Sequence, residues 1–242
     1  MSEIAGRMAT QVGAQMLTKI EGGMGLLMGG TAGVQAAHVV IVGAGTVGLS
    51  AAKVAMGMGA RVTILDSNLF RLRQIDDLYG GRIQTLASNA FNIAAAVKEA
   101  DLLVGSVLIP GALTPKLVTE AMVKTMKKGS AIVDVAIDQG GCIEVTAKHG
   151  ATYHDNPTFM YEGIVCYSVG NMPGAVARTS TFTLTNATMP YMIDLANKGW
   201  KKACQDDKAL ARGINTYDGK VYFKGVSDAL GYELHCTCDI LK

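Results

Sequence analysis

The stretch His38-Val39-Val40-Ile41-Val42-Gly43-Ala44-Gly45-Thr46-Val47-Gly48, completed by Arg61-Val62-Thr63-Ile64-Leu65-Asp66, decides how the chain is read. An apolar, β-branched run predicts a buried strand, and a glycine turn then opens a helix. A second apolar run ends in a carboxylate 18 residues after the last glycine. Each glycine has a separate job in such a unit. Gly43 permits the sharp turn, Gly45 lets backbone approach a pyrophosphate, and Gly48 lets helix pack close on strand. The helix start offers free N–H groups and a positive dipole end to phosphates. Asp66 can accept both hydroxyls of a ribose and repels a 2′-phosphate. The glycines could serve as a packing turn alone, but strand, helix and acid together favour a dinucleotide, and the acid favours NAD.

Outward from this unit the βα rhythm repeats. Residues 2–20 predict one amphipathic helix with Ser2 as N-cap and Ile4, Met8, Val12 and Met16 at helical spacing. Beyond Asp66, helices are expected over 67–78, over 89–99 with Asn89 as cap, and over 115–128 with Thr114 as cap and Pro115 at the first position. Strands are expected over 82–86, 101–107, 130–137 and 161–169, with a forced turn at Ile109-Pro110-Gly111. Alternation of this kind predicts an α/β fold, a Rossmann-type doubly wound parallel sheet. Ligands bind such sheets beyond the carboxyl ends of the strands. Asp66, Ser88, Val107, Leu108, Asp138, Asn171 and Met172 fall at or just past those ends, so one crevice is expected to gather them. From 175 the texture changes to a long helical pattern interrupted by Pro190. A hairpin turn follows at Tyr217-Asp218-Gly219-Lys220. The expected division is residues 1–174 as the dinucleotide-binding domain, with 2–20 as a connecting helix, and 175–242 as part of an incomplete second lobe.

The formal net charge is +2 with no basic stripe, so nucleic acid is not an expected partner. Residues 22–52 carry no Asp, Glu, Lys or Arg, a span long enough to cross a membrane. Nine glycines within it and its strand-then-turn character argue instead for a buried parallel strand. No secretory leader pattern opens the chain. The five cysteines form no zinc pattern, and Cys236-x-Cys238 reads as two reduced thiols, giving an expectation of a soluble, cytoplasmic protein with no metal.

These residues resemble the alanine dehydrogenase and transhydrogenase α family, and the resemblance covers nearly the whole chain. It is carried by Met1-Ser2-Glu3-Ile4-Ala5-Gly6-Arg7, the glycine turn and Leu65-Asp66. Ile109-Pro110-Gly111-Ala112, 134–142, Asn171-Met172-Pro173 and 184–191 extend it. The form Ile137-Asp138-Gln139-Gly140-Gly141 tilts it toward the alanine dehydrogenase side. By position, the resemblance implies pyrophosphate contact at Ser2, ribose contact at Asp66 and adenine-side contacts at Arg71 and Ser88. It implies cleft walls at Val107 and Leu108, and contact with the nicotinamide end at Ile137, Asp138, Asn171 and Met172. Asp138 is also similar to the family's catalytic aspartate, which works beside a histidine. The implied activity is NAD-dependent, reversible oxidative deamination of L-alanine to pyruvate and ammonia, by a hexamer.

One departure is large. The family's N-terminal lobe, with its catalytic histidine and its substrate-holding lysine and arginine, has no counterpart here, and Met1 coincides with an internal Met-Ser-Glu of the family pattern. The chain therefore reads as a coenzyme-binding and C-terminal portion, inactive alone. His38, His149, His154 and His235 each read more readily as surface or strand-edge residues than as a replacement base. The alternatives are a non-catalytic NAD-binding or assembly module, or a component like that of transhydrogenase α.

Overall fold

The computed structural model describes residues 1–108 and 114–242. The expected turn at Ile109-Pro110-Gly111 lies outside the described residues. The chain divides into two compact units, Met1–Ser180 and Thr181–Lys242.

The first unit opens with helix α1 (Ser2–Met16), followed by a short 3-10 turn, Lys19–Glu21. Then come β1 (His38–Val42), α2 (Thr46–Gly57), β2 (Arg61–Asp66), α3 (Leu69–Tyr79), β3 (Ile83–Ala87), α4 (Ala90–Glu99) and β4 (Leu102–Gly105). The rest of the unit holds α5 (Glu120–Val123), β5 (Ala131–Asp134), α6 (Glu144–His149), β6 (Thr158–Tyr161) and β7 (Ile164–Tyr167). The strands form one sheet in the order β3-β2-β1-β4-β5-β7-β6, parallel except for the edge strand β6. The order reverses between β1 and β4, the switch point at which ligands bind in sheets of this kind.

Side-chain alternation explains the layering. Val39 and Ile41 point to one face and join Ile4 and Met8 of α1, Ala51 and Ala55 of α2 and Ile75 of α3. Val40 and Val42 point to the other and join Ile93 and Val97 of α4 and Val145 of α6. A strand covered on both faces is apolar at every position, which accounts for the unbroken run in the sequence. The uncharged stretch 22–52 is thus loop, buried strand and helix start. Among the described residues, no helix is long and apolar enough to cross a membrane.

Several expectations are corrected. Ser2 does not cap α1: Met1 occupies the cap position and no side chain bonds to it. The helix expected over 115–128 shrinks to the four residues of α5, capped by the Thr119 hydroxyl. The N–H groups of Leu117 and Val118 instead donate to the Cys142 carbonyl, and Glu144 N–H donates back to Val118. The segment is thereby extended against 142–144, and Thr114-Pro115 starts no helix. The strand expected over 130–137 ends at Asp134, where the chain turns into the 3-10 segment Val135–Gln139. The strand expected over 161–169 is one arm of a hairpin, β6–β7, turned by Glu162 (φ 49°) and Gly163 (φ 78°).

The second unit contains most of α7 (Ala177–Asp206), then α8 (Lys208–Ala211), β8 (Thr216–Tyr217), β9 (Lys220–Val221) and α9 (Lys224–Leu230). The expected hairpin is present, with Asp218 and Gly219 in left-handed conformation. α7 runs through Pro190, and its non-helical residue is Gly199 (φ 72°). Cys236 and Cys238, expected as two reduced thiols, are paired as a disulfide in this structure, their Cα atoms 5.2 Å apart.

Candidate coenzyme site

The glycine turn is built as the spacing predicts. Gly43 has φ 105°, a conformation that favours glycine, and its N–H donates to the Leu65 carbonyl at 2.7 Å. A Cβ on Gly48 would stand 1.9 Å from the Gly43 carbonyl oxygen, so any side chain there forces α2 away from β1. A Cβ on Gly45 would meet nothing within 4 Å: that position faces open space. The Ser106 hydroxyl, buried beyond β4, donates to the carbonyls of Val42 and Gly43 and staples the turn to the next strand.

Asp66 and Arg71 grip the same turn. Asp66 accepts from the Ala44 N–H at 2.7 Å and from the Asn68 N–H at 2.8 Å. Arg71 Nε donates to the Ala44 carbonyl at 2.9 Å. Ser88 lies alongside, its N–H donating to the Asp66 carbonyl at 2.9 Å. Ala44 is therefore held at its N–H by an acid from β2 and at its carbonyl by a base from α3. Each Asp66 oxygen keeps a lone pair for a further donor.

Two helix starts converge nearby. Gly6 allows the approach, since a Cβ there would lie 2.1 Å from the Val47 carbonyl oxygen. No side chain caps α1 or α2, so the N–H groups of both first turns lack side-chain partners. Met1, Ser2 and Ala5 from α1 and Val47 from α2 line a cavity of about 190 Å³. Leu108, Val135, Ala136, Asp138, Gln139, Asn171, Met172 and Pro173 complete it. The Asn171 N–H donates to both oxygens of Asp138, at 3.3 and 3.2 Å, and Asn171 itself is left-handed at φ 52°. The Gln139 side-chain oxygen is buried without a hydrogen-bond partner among the described residues.

Of the residues singled out in the sequence, Ser2, Leu108, Asp138, Asn171 and Met172 meet in this cavity. Gly43, Gly45, Gly48, Asp66, Arg71 and Ser88 form the neighbouring glycine-turn cluster and do not line it. Val107 packs toward Gly43, with Cγ2 3.0 Å from where a Cβ would be. Ile137 is buried, and its neighbours Ala136 and Asp138 line the cavity in its place. No histidine lines it. His38 sits at the opposite end of β1 against the Thr63 hydroxyl, and burial, then Arg61, holds its pKa below the usual value. His149 stacks on Phe159.

Sequence reasoning missed Asp134. It is fully buried at the end of β5 and accepts from the N–H groups of Ala136, Cys142 and Ile143 and from the Thr146 hydroxyl. Burial pushes its carboxyl above the usual range, and these hydrogen bonds pull against that rise. A lone acid closing the apolar run Ala131-Ile132-Val133 was the available signal.

Among curated proteins, the alanine dehydrogenase of Bilophila wadsworthia is 93% identical over 246 residues, a match covering 100% of this chain and 65% of that protein. The alanine dehydrogenase of Methanococcus maripaludis is 60% identical over 229 residues, covering 95% of this chain and 61% of its own length. A solved L-alanine dehydrogenase superimposes with a TM-score of 0.90 at 47% identity, covering 95% of this chain and 63% of that one. A transhydrogenase from Sinorhizobium meliloti follows at 0.71 and 25% identity, covering 92% and 59%. The chain thus spans under two thirds of the length of these relatives. The family model described as alanine dehydrogenase/PNT, C-terminal domain, matches residues 9–224, and the chain belongs to that family.

Proposed function

We propose that the crevice at the switch point binds NAD(H), and that the chain is the coenzyme-binding portion of an NAD-dependent alanine dehydrogenase. The observation that carries this reading is the meeting of two uncapped helix starts beside an open glycine, next to a strand-end carboxylate. The site fits such a ligand on three counts. The space above Gly45 suits a diphosphate brought close to backbone. The helix starts supply N–H groups and positive dipole ends. The Gln139 oxygen, without a partner among the described residues, offers an acceptor to a carboxamide N–H.

In this reading Ser2 and the α2 start hold the pyrophosphate, Asp66 takes the adenosine ribose, and Arg71 and Ser88 flank the adenine. Val107 and Leu108 wall the cleft, while Ile137, Asp138, Asn171 and Met172 surround the nicotinamide end. Bound NAD supplies a hydride acceptor for the carbon that carries the amino group. Asp138, held by the Asn171 N–H, orients the base or the water that completes deamination to pyruvate and ammonia. No Lys, Arg or His lines the cavity among the described residues. Substrate holding and the acid/base are therefore assigned to the part of the relatives' length outside the match. Residues 175–242 are assigned to that second lobe, and the working assembly to a homo-oligomer in the cytoplasm.

Calorimetry with the 242-residue chain tests the coenzyme assignment. NADH is expected to bind, and NADPH about tenfold more weakly or worse, a difference of roughly 1.4 kcal/mol from the repulsion between Asp66 and a 2′-phosphate. Asp66→Ser should narrow that gap. Equal affinity for the two coenzymes in the unaltered chain would contradict the assignment. The chain alone should oxidise no L-alanine, and turnover by it would contradict the placement of the substrate clamp.

A further inference from the structure

We infer that two charged residues outside the cavity, Asp134 and Lys116, are positioning residues that set the turn carrying Asp138. This rests on the coenzyme reading for its function but not for its structure. The turn's own backbone bonds are short-range, with the Gly140 N–H donating to the Ile137 carbonyl at 2.9 Å and the Gly141 N–H to the Ala136 carbonyl at 3.0 Å, so its attachment to the sheet comes from side chains. It leaves β5 at Asp134, passes through the 3-10 segment Val135–Gln139, and closes on two left-handed glycines, Gly140 (φ 87°) and Gly141 (φ 76°).

Asp134 holds it from inside. Its Oδ1 accepts from the Ala136 N–H at 3.1 Å, and its Oδ2 from the N–H groups of Cys142 and Ile143 at 3.1 and 3.2 Å. Both ends of the turn thus converge on one carboxylate. An amide in its place would aim an NH2 at one of these N–H donors, so Asp134→Asn cannot satisfy them all.

Lys116 holds it from outside. Its Nζ donates to the carbonyls of Gly140 and, at 2.7 Å, Gly141. Left-handed residues turn these carbonyls outward, and the exposed ammonium neutralises the two dipoles that result. Neither residue lines the cavity, whereas Val135, Ala136, Asp138 and Gln139 between them do. The acid and the base act on the nicotinamide end alone, since the glycine turn at 43–48 has its own clamp in Asp66 and Arg71.

ADP-ribose, which lacks the nicotinamide, separates this role from general stability. In Lys116→Met, whose exposed site spares the core, NADH affinity should fall about tenfold, the order expected for losing a charge-assisted hydrogen bond. ADP-ribose affinity should stay within about twofold of the unaltered chain. Asp134→Asn should lose more of the NADH affinity with the same selectivity. Parallel loss of both ligands, or loss of neither, overturns the inference. Hydrogen exchange of the free protein decides it independently of any ligand. Lys116→Met should speed exchange over residues 135–141 and leave residues 43–48 unchanged. Unaltered exchange over 135–141 overturns the inference even in a chain that binds no coenzyme. A chain that fails to bind NADH or ADP-ribose while Lys116→Met shows the faster exchange refutes only the coenzyme reading.

Discussion

At the scale of single residues, three glycines in one short turn carry unequal loads, and the difference is measurable. Gly48 touches backbone, so Gly48→Ala must move α2 or β1 and should cost about 1–3 kcal/mol in urea unfolding. Gly45 has φ −69° and open space at its Cβ position, so Gly45→Ala should leave the unfolding midpoint almost unchanged. It should nonetheless weaken NADH binding, because the methyl occupies the room assigned to the diphosphate. Equal effects of both substitutions on stability would contradict the assignment of separate roles. The parts of Gly43 and Gly48 were legible in sequence because the conflict each avoids is local to a strand-turn-helix unit. The grip of Asp66 and Arg71 on Ala44 was not legible: two residues already assigned to the ligand also brace the turn, which spacing alone does not reveal.

Among elements, the parallel strands were legible because burial on both faces leaves an unmistakable apolar run. The α4 cap was legible too, and Asn89 accepts from the Asn92 N–H at 2.8 Å. Asn89→Ala should lower stability by about 1 kcal/mol, read by denaturant unfolding. The segment 114–128 misled because Thr-Pro is a good local helix start, while its actual partners lie about 25 residues away, at Gln139 and Cys142. Pro190 misled in the opposite sense, since α7 accommodates it and breaks at Gly199. Three elements meet at Glu120 of α5, which binds Lys124 of the following turn, Lys148 of α6 and the Tyr161 hydroxyl of β6. The hydrogen bond from Lys124, then those from Lys148 and Tyr161, lower the Glu120 carboxyl from 4.5 to about 2. A depressed acid contributes stability that is present above its unfolded value and is lost as pH falls through the folded one. The midpoint advantage of the unaltered chain over Glu120→Gln should therefore be constant above about pH 4.5 and vanish as pH approaches 2. A difference independent of pH would show that the cluster acts without its charge.

Over the whole molecule, the strand order places the glycine turn after β1 and the Asp138 turn after β5 on the two sides of β4, because the three strands run parallel and end at the same edge of the sheet. That geometry sets the glycine-turn cluster beside the cavity that Asp138 lines, both within Met1–Ser180. The sheet could be read from the sequence, and so could the placing of Ser2, Leu108, Asp138, Asn171 and Met172 near one another. The turn held by Asp134 and Lys116 could not, because its hydrogen bonds link irregular segments that carry no periodicity. The central claim is that this crevice takes a reduced nicotinamide dinucleotide. Titration of NADH with the purified, folded 242-residue chain tests it most directly through the coenzyme's own fluorescence. The account predicts a saturating rise in emission with a shift to shorter wavelength, reversed by competing NAD. Emission that stays unaltered through millimolar protein, with folding verified on the same sample, would contradict it.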